Sequence, residues 1–142
     1  MPSRKTLQSV SHNFARSFTS LVNYMETDYF LDLLLKKMRQ TGRNCLEVDV
    51  LKNEATPKEL ITTEIEASIR SWNKWFPELV KNNGSSMDFV ISAKMTITFD
   101  LSMGRPYAKD PRYTESPFIC AINIRDDRGK EYRHEHKDVV LS

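Results

Sequence analysis

The residues of this chain best suited to chemistry are a cysteine and two histidines in its last quarter. If residues 127–129 form a three-residue hairpin turn, His134 lies opposite Ile122 and His136 lies opposite Cys120. Side chains two positions apart on a strand share a face, so a thiolate and two imidazoles would project together. Zinc and related divalent ions accept these ligands, and the spacing therefore predicts a metal site formed by Cys120, His134 and His136.

A structural role for the same residues is the alternative. The two imidazole rings would then lie over the edge of the sheet, and a turn longer by one residue would move Cys120 to the opposite face. Cys120 and His136 would also be in position for a nucleophilic pair, although the sequence supplies no recognisable oxyanion hole. Apart from a divalent metal such as zinc at this site, the sequence predicts no cofactor, and it leaves open whether the protein is an enzyme.

A second candidate site is the loop 102–117, which contains three prolines and a mixture of cations and aromatic rings. Its candidate binding residues are Arg105, Tyr107, Lys109, Arg112 and Tyr113. Cations interleaved with aromatic rings suit single-stranded nucleic acid or another anionic partner. Prolines also stiffen a loop, which suits the ordered binding of a protein. A solvated connection between two strands is the structural alternative.

Length and composition indicate one globular domain over residues 1–142, in which 39% of residues are hydrophobic and 28% are charged. A net charge of +2 is too close to balance for a dedicated nucleic-acid binder. No apolar run approaches the length of about 20 residues that a membrane span needs, and Met1–Gln8 lacks the apolar run of a secretory signal. We therefore expect a soluble, cytoplasmic protein with two free cysteines and no membrane association.

The segment 9–25 supports two interpretations. Five large apolar residues recur at helical spacing: Phe14, Phe18, Leu21, Val22 and Met25. The segment also alternates between larger side chains and small or polar ones, and it is rich in Ser, Asn and Thr, which are mediocre helix formers. The pattern favours a long strand slightly, with a helix as the alternative.

The next elements have clearer boundaries. Residues 27–40 carry one apolar stripe and are followed by Gly42, which predicts a helix that stops there. Residues 45–51 alternate as a half-buried strand does. Thr56, with proline and glutamate after it, predicts a helix start, and Pro77 predicts a kink or an end to that helix near Trp75.

Strict alternation then predicts three strands. Every odd position from Met87 to Leu101 is apolar, which predicts one long strand whose odd side chains face a dry side. Residues 118–125 and 130–137 alternate in the same way on either side of the turn at 127–129.

The fold predicted from these elements is α+β, with a curved and mainly antiparallel sheet of four to five strands and two or three helices packed on one face. If 9–25 is helical, the order becomes α-α-β-α-β-β-β. That order resembles the cone-shaped nuclear-transport-factor-2-like domains, and the resemblance implies a bent sheet that encloses a pocket. It is a resemblance of topology and implies no function.

Three classes of function follow from these features. The first is an interaction or accessory module that binds a protein partner through its sheet or through the loop 102–117, with homo-oligomerisation as a further expectation. The second is a small-molecule or metal-dependent enzyme that uses the concave face of the sheet, with His134 and His136 in its site. The third is nucleic-acid binding through the loop.

Overall fold

A computed structural model describes residues 7–27, 29–99 and 117–139 of the chain. Within them the three helices are α1 (Leu7–Thr27), α2 (Phe30–Thr41) and α3 (Thr63–Asn82), with a short 3₁₀ turn at Lys58–Leu60. The five strands are β1 (Cys45–Asp49), β2 (Glu54–Thr56), β3 (Val90–Phe99), β4 (Pro117–Asp126) and β5 (Glu131–Val139). The fold is α+β, as the sequence predicts.

The strands form one antiparallel sheet in the order β2-β1-β3-β4-β5. The helices pack against one face, where α1 contacts α3, β4 and β5. The core lies between the two layers. Its largest fully buried side chains include Trp72, Phe14, Phe18, Phe30, Phe76, Phe99 and Phe118.

Residues 9–25 belong to α1, so the strand interpretation of this segment is wrong and the helical alternative is correct. All five apolar residues at helical spacing are completely buried. The serines that lower helix propensity are accommodated, because Ser17 and Ser20 each donate a hydrogen bond to the carbonyl four residues earlier. Tertiary burial of the apolar stripe therefore outweighs weak local propensity. The element order is that of the α-α-β-α-β-β-β alternative, with β2 and the 3₁₀ turn added after β1.

The boundaries of α2 and α3 confirm one expectation, correct a second, and exclude one of two alternatives for a third. Gly42 ends α2 in the left-handed conformation, with φ 72°. The helix predicted to start at Thr56 starts instead at Thr63, and the side chain of Thr62 accepts a hydrogen bond from the N–H of Ile65 at 3.2 Å. Thr56 cannot cap a helix because it pairs with β1 as the last residue of β2. Pro77 lies inside α3, which continues to Asn82, so the helix does not end near Trp75 and the alternative of a kink at Pro77 stays a prediction.

A bulge in β3 breaks the predicted alternation at its start. The register with β4 shifts between Val90 and Ser92, so that Val90 is buried and Ile91 is 57% exposed. A bulge places an extra residue on one strand and reverses the side chains that follow. The expectation that Ile91 faces the core is therefore wrong, whereas Ala93 to Phe99 face it at every odd position.

The hairpin of β4 and β5 has the register that the turn residues predict. Ile122 lies opposite His134 and Cys120 lies opposite His136. Gly129 supplies the positive φ of 81° that this turn requires.

Candidate functional site

The two candidate histidines lie on the helix-covered side of β5, and His134 lies beneath α1. The ring of His134 meets the ring of Phe18 edge-on, with 5.9 Å between centroids. The ring of His136 is tilted against Phe118 at 6.4 Å, and its Nε2 atom is buried. Cys120 is completely buried. The structure therefore brings Cys120 and both histidines to one face of one hairpin, as predicted.

These three side chains do not make a cluster with metal-binding geometry. In the described ranges, no group of three or more His, Cys, Asp or Glu side chains is placed so that it could hold a metal ion. The two imidazoles are two positions apart on β5 and pack against different phenylalanines, one from α1 and one from β4. Each imidazole therefore packs against an aromatic ring, and the metal role of Cys120, His134 and His136 stays a prediction.

The side chain of Tyr132 also lies on the helix-covered side of β5 and packs against the core. Burial raises the pKa of its phenol above the ordinary value of 10.0, because the charged phenolate loses hydration there. The covered side of this edge strand thus carries Tyr132, His134 and His136, three amphipathic rings.

The second predicted site, formed by Arg105, Tyr107, Lys109, Arg112 and Tyr113, lies outside the described residues. Of the loop 102–117, only Pro117 is described, as the first residue of β4.

The other face of the sheet is not covered by α1, α2 or α3, and we call it the open face. Its side chains follow from the strand registers, since directly paired residues project to the same side. On β1, β2 and β3 they are Cys45, Glu47, Asp49, Glu54, Thr56, Ser92, Lys94, Thr96 and Thr98; on β4 and β5 they are Ile119, Ala121, Asn123, Arg125, Glu131, Arg133 and Glu135.

Charge is divided unevenly across the open face. Strands β1 and β2 contribute three carboxylates to it, from Glu47, Asp49 and Glu54, and no cation. Strands β3 to β5 contribute cations, most of which have a partner: Arg125 pairs with Glu131 at 3.1 Å and Arg133 pairs with Glu135 at 2.8 Å. The open face is therefore acidic at its β1–β2 end. At its β4–β5 end it is close to neutral, because the arginines there form ion pairs with glutamates.

An apolar side chain interrupts this polar surface. Ile119 is 39% exposed and lies between Thr98 of β3 and Lys137 of β5 in the registers. Neighbouring Ala121 is buried although it lies on the same face. An exposed isoleucine on a mainly polar face, with charged pairs farther along β4 and β5, suits an apolar contact with a polar rim.

Clefts occur at both ends of the open face. One of about 250 Å³ is lined by Ser92, Lys94, Asn123, Ile124, Arg125 and Glu131. Another of about 340 Å³ is lined by Arg43, Asn44, Cys45, Glu47, Thr56 and Pro57. The lining of the first cleft is mainly polar and charged, whereas small-molecule pockets are mostly lined by apolar residues.

The uneven distribution of charge across the open face is the feature that sequence reasoning missed. The alternation of β1, β3 and β4 indicates that one side of each strand is polar, but the division of charge appears only when the strand order is known. None of the described helices combines the length and the apolar character needed to cross a bilayer. Comparison with protein-family models, with curated proteins and with solved structures gave no match for this chain.

Proposed function

We propose that this chain is an interaction module that binds a protein partner on its open face. The observation that carries the proposal is the exposed Ile119 on a mainly polar sheet surface. The proposal assigns the binding energy to apolar contact around Ile119, and assigns orientation to the charges around it.

The size of the open face supports a protein rather than a small molecule as the partner. The ten residues of β3 span roughly 33 Å, and four spacings between five strands span about 19 Å. The product, on the order of 600 Å², is an upper bound, because β1 has five residues and β2 has three. It lies below the ~800 Å² that each partner buries in a standard interface, so the face suits a small protein–protein contact.

The uneven distribution of charge across the open face indicates the chemistry of the partner. Glu47 and Glu54 are exposed and Asp49 is half-buried, with its Oδ1 accepting a hydrogen bond from the N–H of Lys52 at 3.2 Å. Lys94 lies directly opposite Asp49 in the register of β1 with β3, whereas Glu47 and Glu54 face no cation in the described strand registers. These two carboxylates attract a cationic surface and accelerate its association at low salt. The partner that fits is therefore a protein with a basic patch facing β1 and β2.

A photo-crosslinking amino acid at position 119, expressed in the source cell, tests the proposal. Position 33 on α2 is a matched control, because Leu33 is 40% exposed, Ile119 is 39% exposed, and α2 lies in the helical layer. We expect a discrete adduct with one other protein from position 119 and none from position 33. The adduct should be lost when Glu47→Lys and Asp49→Lys are combined with the crosslinker. Equal crosslinking from both positions, or none from position 119, would contradict the proposal.

A further inference from the structure

The outer edge of β5 carries charged residues in an order that is complementary to the same order read in the opposite direction. β5 ends the sheet order, so no described strand lies beyond it. The N–H of Asp126 donates to the carbonyl of Lys130 at 2.9 Å, which directs the backbone groups of even-numbered β5 residues toward β4. Backbone direction alternates along an antiparallel strand, so odd-numbered residues such as Glu131 and Arg133 direct their N–H and C=O groups outward. This is the edge that another strand would extend.

The residues at these outward positions alternate in sign: Glu131, Arg133, Glu135 and Lys137. Suppose that a second copy of β5 pairs antiparallel with the first, centred on His134. Arg133 then lies opposite Glu135 of the second copy, and Glu131 lies opposite Lys137. Opposite charges on directly facing residues stabilise a strand pair. The Arg133–Glu135 ion pair, at 2.8 Å, already holds the two central charges on one side of the strand.

Only this register places both Arg133 and Glu135 opposite unlike charges. A slip of two residues places Arg133 opposite Arg133, or Glu135 opposite Glu135, and like charges on facing residues destabilise a pair. A slip of one residue would place residues whose N–H and C=O groups point outward opposite residues whose groups point toward β4. It would also place the side chains of facing residues on opposite faces of the sheet. The pattern therefore selects one two-fold arrangement, which is the symmetry of a self-complementary dimer.

We infer that two copies of this chain pair through β5 and join their five-stranded sheets into one sheet of ten strands. Charged residues on an edge strand commonly prevent association. Here they favour it in a single register, because their alternation makes each copy complementary to the other. The inference does not rest on the partner proposed for the open face, since it concerns the edge of the sheet. It adds that the two open faces become continuous in the dimer.

Charge exchange in the full chain tests the inference, with mass in solution measured by sedimentation or light scattering. We expect a dimer for the unaltered chain and monomers for Arg133→Glu and for Glu135→Arg, each of which places like charges opposite each other. The double variant R133E/E135R restores the opposition of unlike charges and should be dimeric. An equimolar mixture of the two single variants should form a heterodimer. As a control, Arg70→Glu disrupts the exposed Arg70–Glu66 pair of α3 and should leave the dimer intact.

Amide hydrogen exchange identifies the contact itself. The N–H groups of Glu131 and Arg133 should exchange slowly at a concentration where the dimer forms and rapidly after dilution or in R133E. A monomer at every accessible concentration would overturn the inference. So would a dimer whose mass is unaffected by both single variants, or one in which these amides stay fast. None of these results affects the expected crosslink between position 119 and a different protein, so the two proposals can fail independently.

Discussion

Asp126 and Lys130 hydrogen-bond to each other in both directions across the turn of the β4–β5 hairpin. The N–H of Asp126 donates to the carbonyl of Lys130, and the carboxylate Oδ1 of Asp126 accepts from the N–H of Lys130, both at 2.9 Å. The same oxygen accepts from the N–H of Arg128 at 2.9 Å. Asp126 is only 1% exposed, so its charge is compensated by these donors. This residue fixes the register on which the covered rings, the open face and the outer edge all depend.

Replacement of Asp126 by alanine should destabilise the protein. Removal of the carboxylate leaves the N–H groups of Arg128 and Lys130 without this acceptor, and hydrogen bonds to charged groups contribute about 1.5–3 kcal/mol each. We expect a loss of about 2–4 kcal/mol in the free energy of unfolding, measured by urea denaturation. Asp88 is exposed, and Asp88→Ala should change stability by less than about 0.5 kcal/mol. Equal effects at the two positions would contradict this role for Asp126.

The two tryptophans should differ strongly in their contribution to stability. Trp72 is 1% exposed and meets the ring of Phe30 edge-on at 4.3 Å, whereas Trp75 is 46% exposed. Trp72→Ala should cost about 3–5 kcal/mol, the range for truncation of a large buried aromatic side chain. Trp75→Ala should cost about 1 kcal/mol or less. Denaturation of both variants under one set of conditions measures the difference, and a larger loss for Trp75 would show that the packing of α3 is misassigned.

Stability should fall at alkaline pH partly because of Tyr132. Burial raises the pKa of this phenol above 10.0, so the folded protein holds the proton more tightly than the unfolded chain does. The resulting stabilisation is fully present below pH 10.0 and is lost as the pH rises through the folded-state pKa. Tyr132→Phe should therefore flatten the decrease in unfolding free energy above pH 10. Tyr29 is 79% exposed, and Tyr29→Phe should leave that decrease unchanged. An unaltered profile in the Tyr132 variant would contradict the expectation.

The two cysteines should react with a thiol reagent at very different rates. Cys120 is completely buried, whereas Cys45 is half-buried at the start of β1, on the open face. Alkylation of the native protein should modify Cys45 first, and Cys120 only at the rate at which the hairpin opens. Mass spectrometry of a time course on the Cys45→Ser variant measures this rate directly. Fast modification of Cys120 in that variant would show that the covered side of the hairpin is accessible.

Local chemistry made the β4–β5 hairpin predictable from sequence. A turn of three residues ending in Gly129 has one common register, and that register places Cys120 opposite His136. What it did not reveal is the surroundings of the two imidazoles. The phenylalanine beside His134 comes from α1, more than a hundred residues earlier in the chain, so only the tertiary fold shows that the ring packs on an aromatic partner.

Two other features depend on long-range interactions in the same way. The helical state of α1 is decided by burial of its apolar stripe, whereas its Ser, Asn and Thr content favours other conformations. The charge division of the open face requires the strand order, because β1 is placed beside β3 rather than at an edge. In each case the deciding interaction joins residues that are far apart in sequence.

The most direct test of the open face as a binding surface is the affinity of the purified chain for the protein that crosslinks to position 119. Titration calorimetry should be carried out with the unaltered chain, with Ile119→Asp and with Leu33→Asp, whose parent residues are 39% and 40% exposed. We predict that Ile119→Asp raises the Kd at least about tenfold, equivalent to ~1.4 kcal/mol, and that Leu33→Asp changes it less than about twofold. Equal effects of the two substitutions, or a loss of affinity only with Leu33→Asp, would contradict the assignment of the open face as the binding surface.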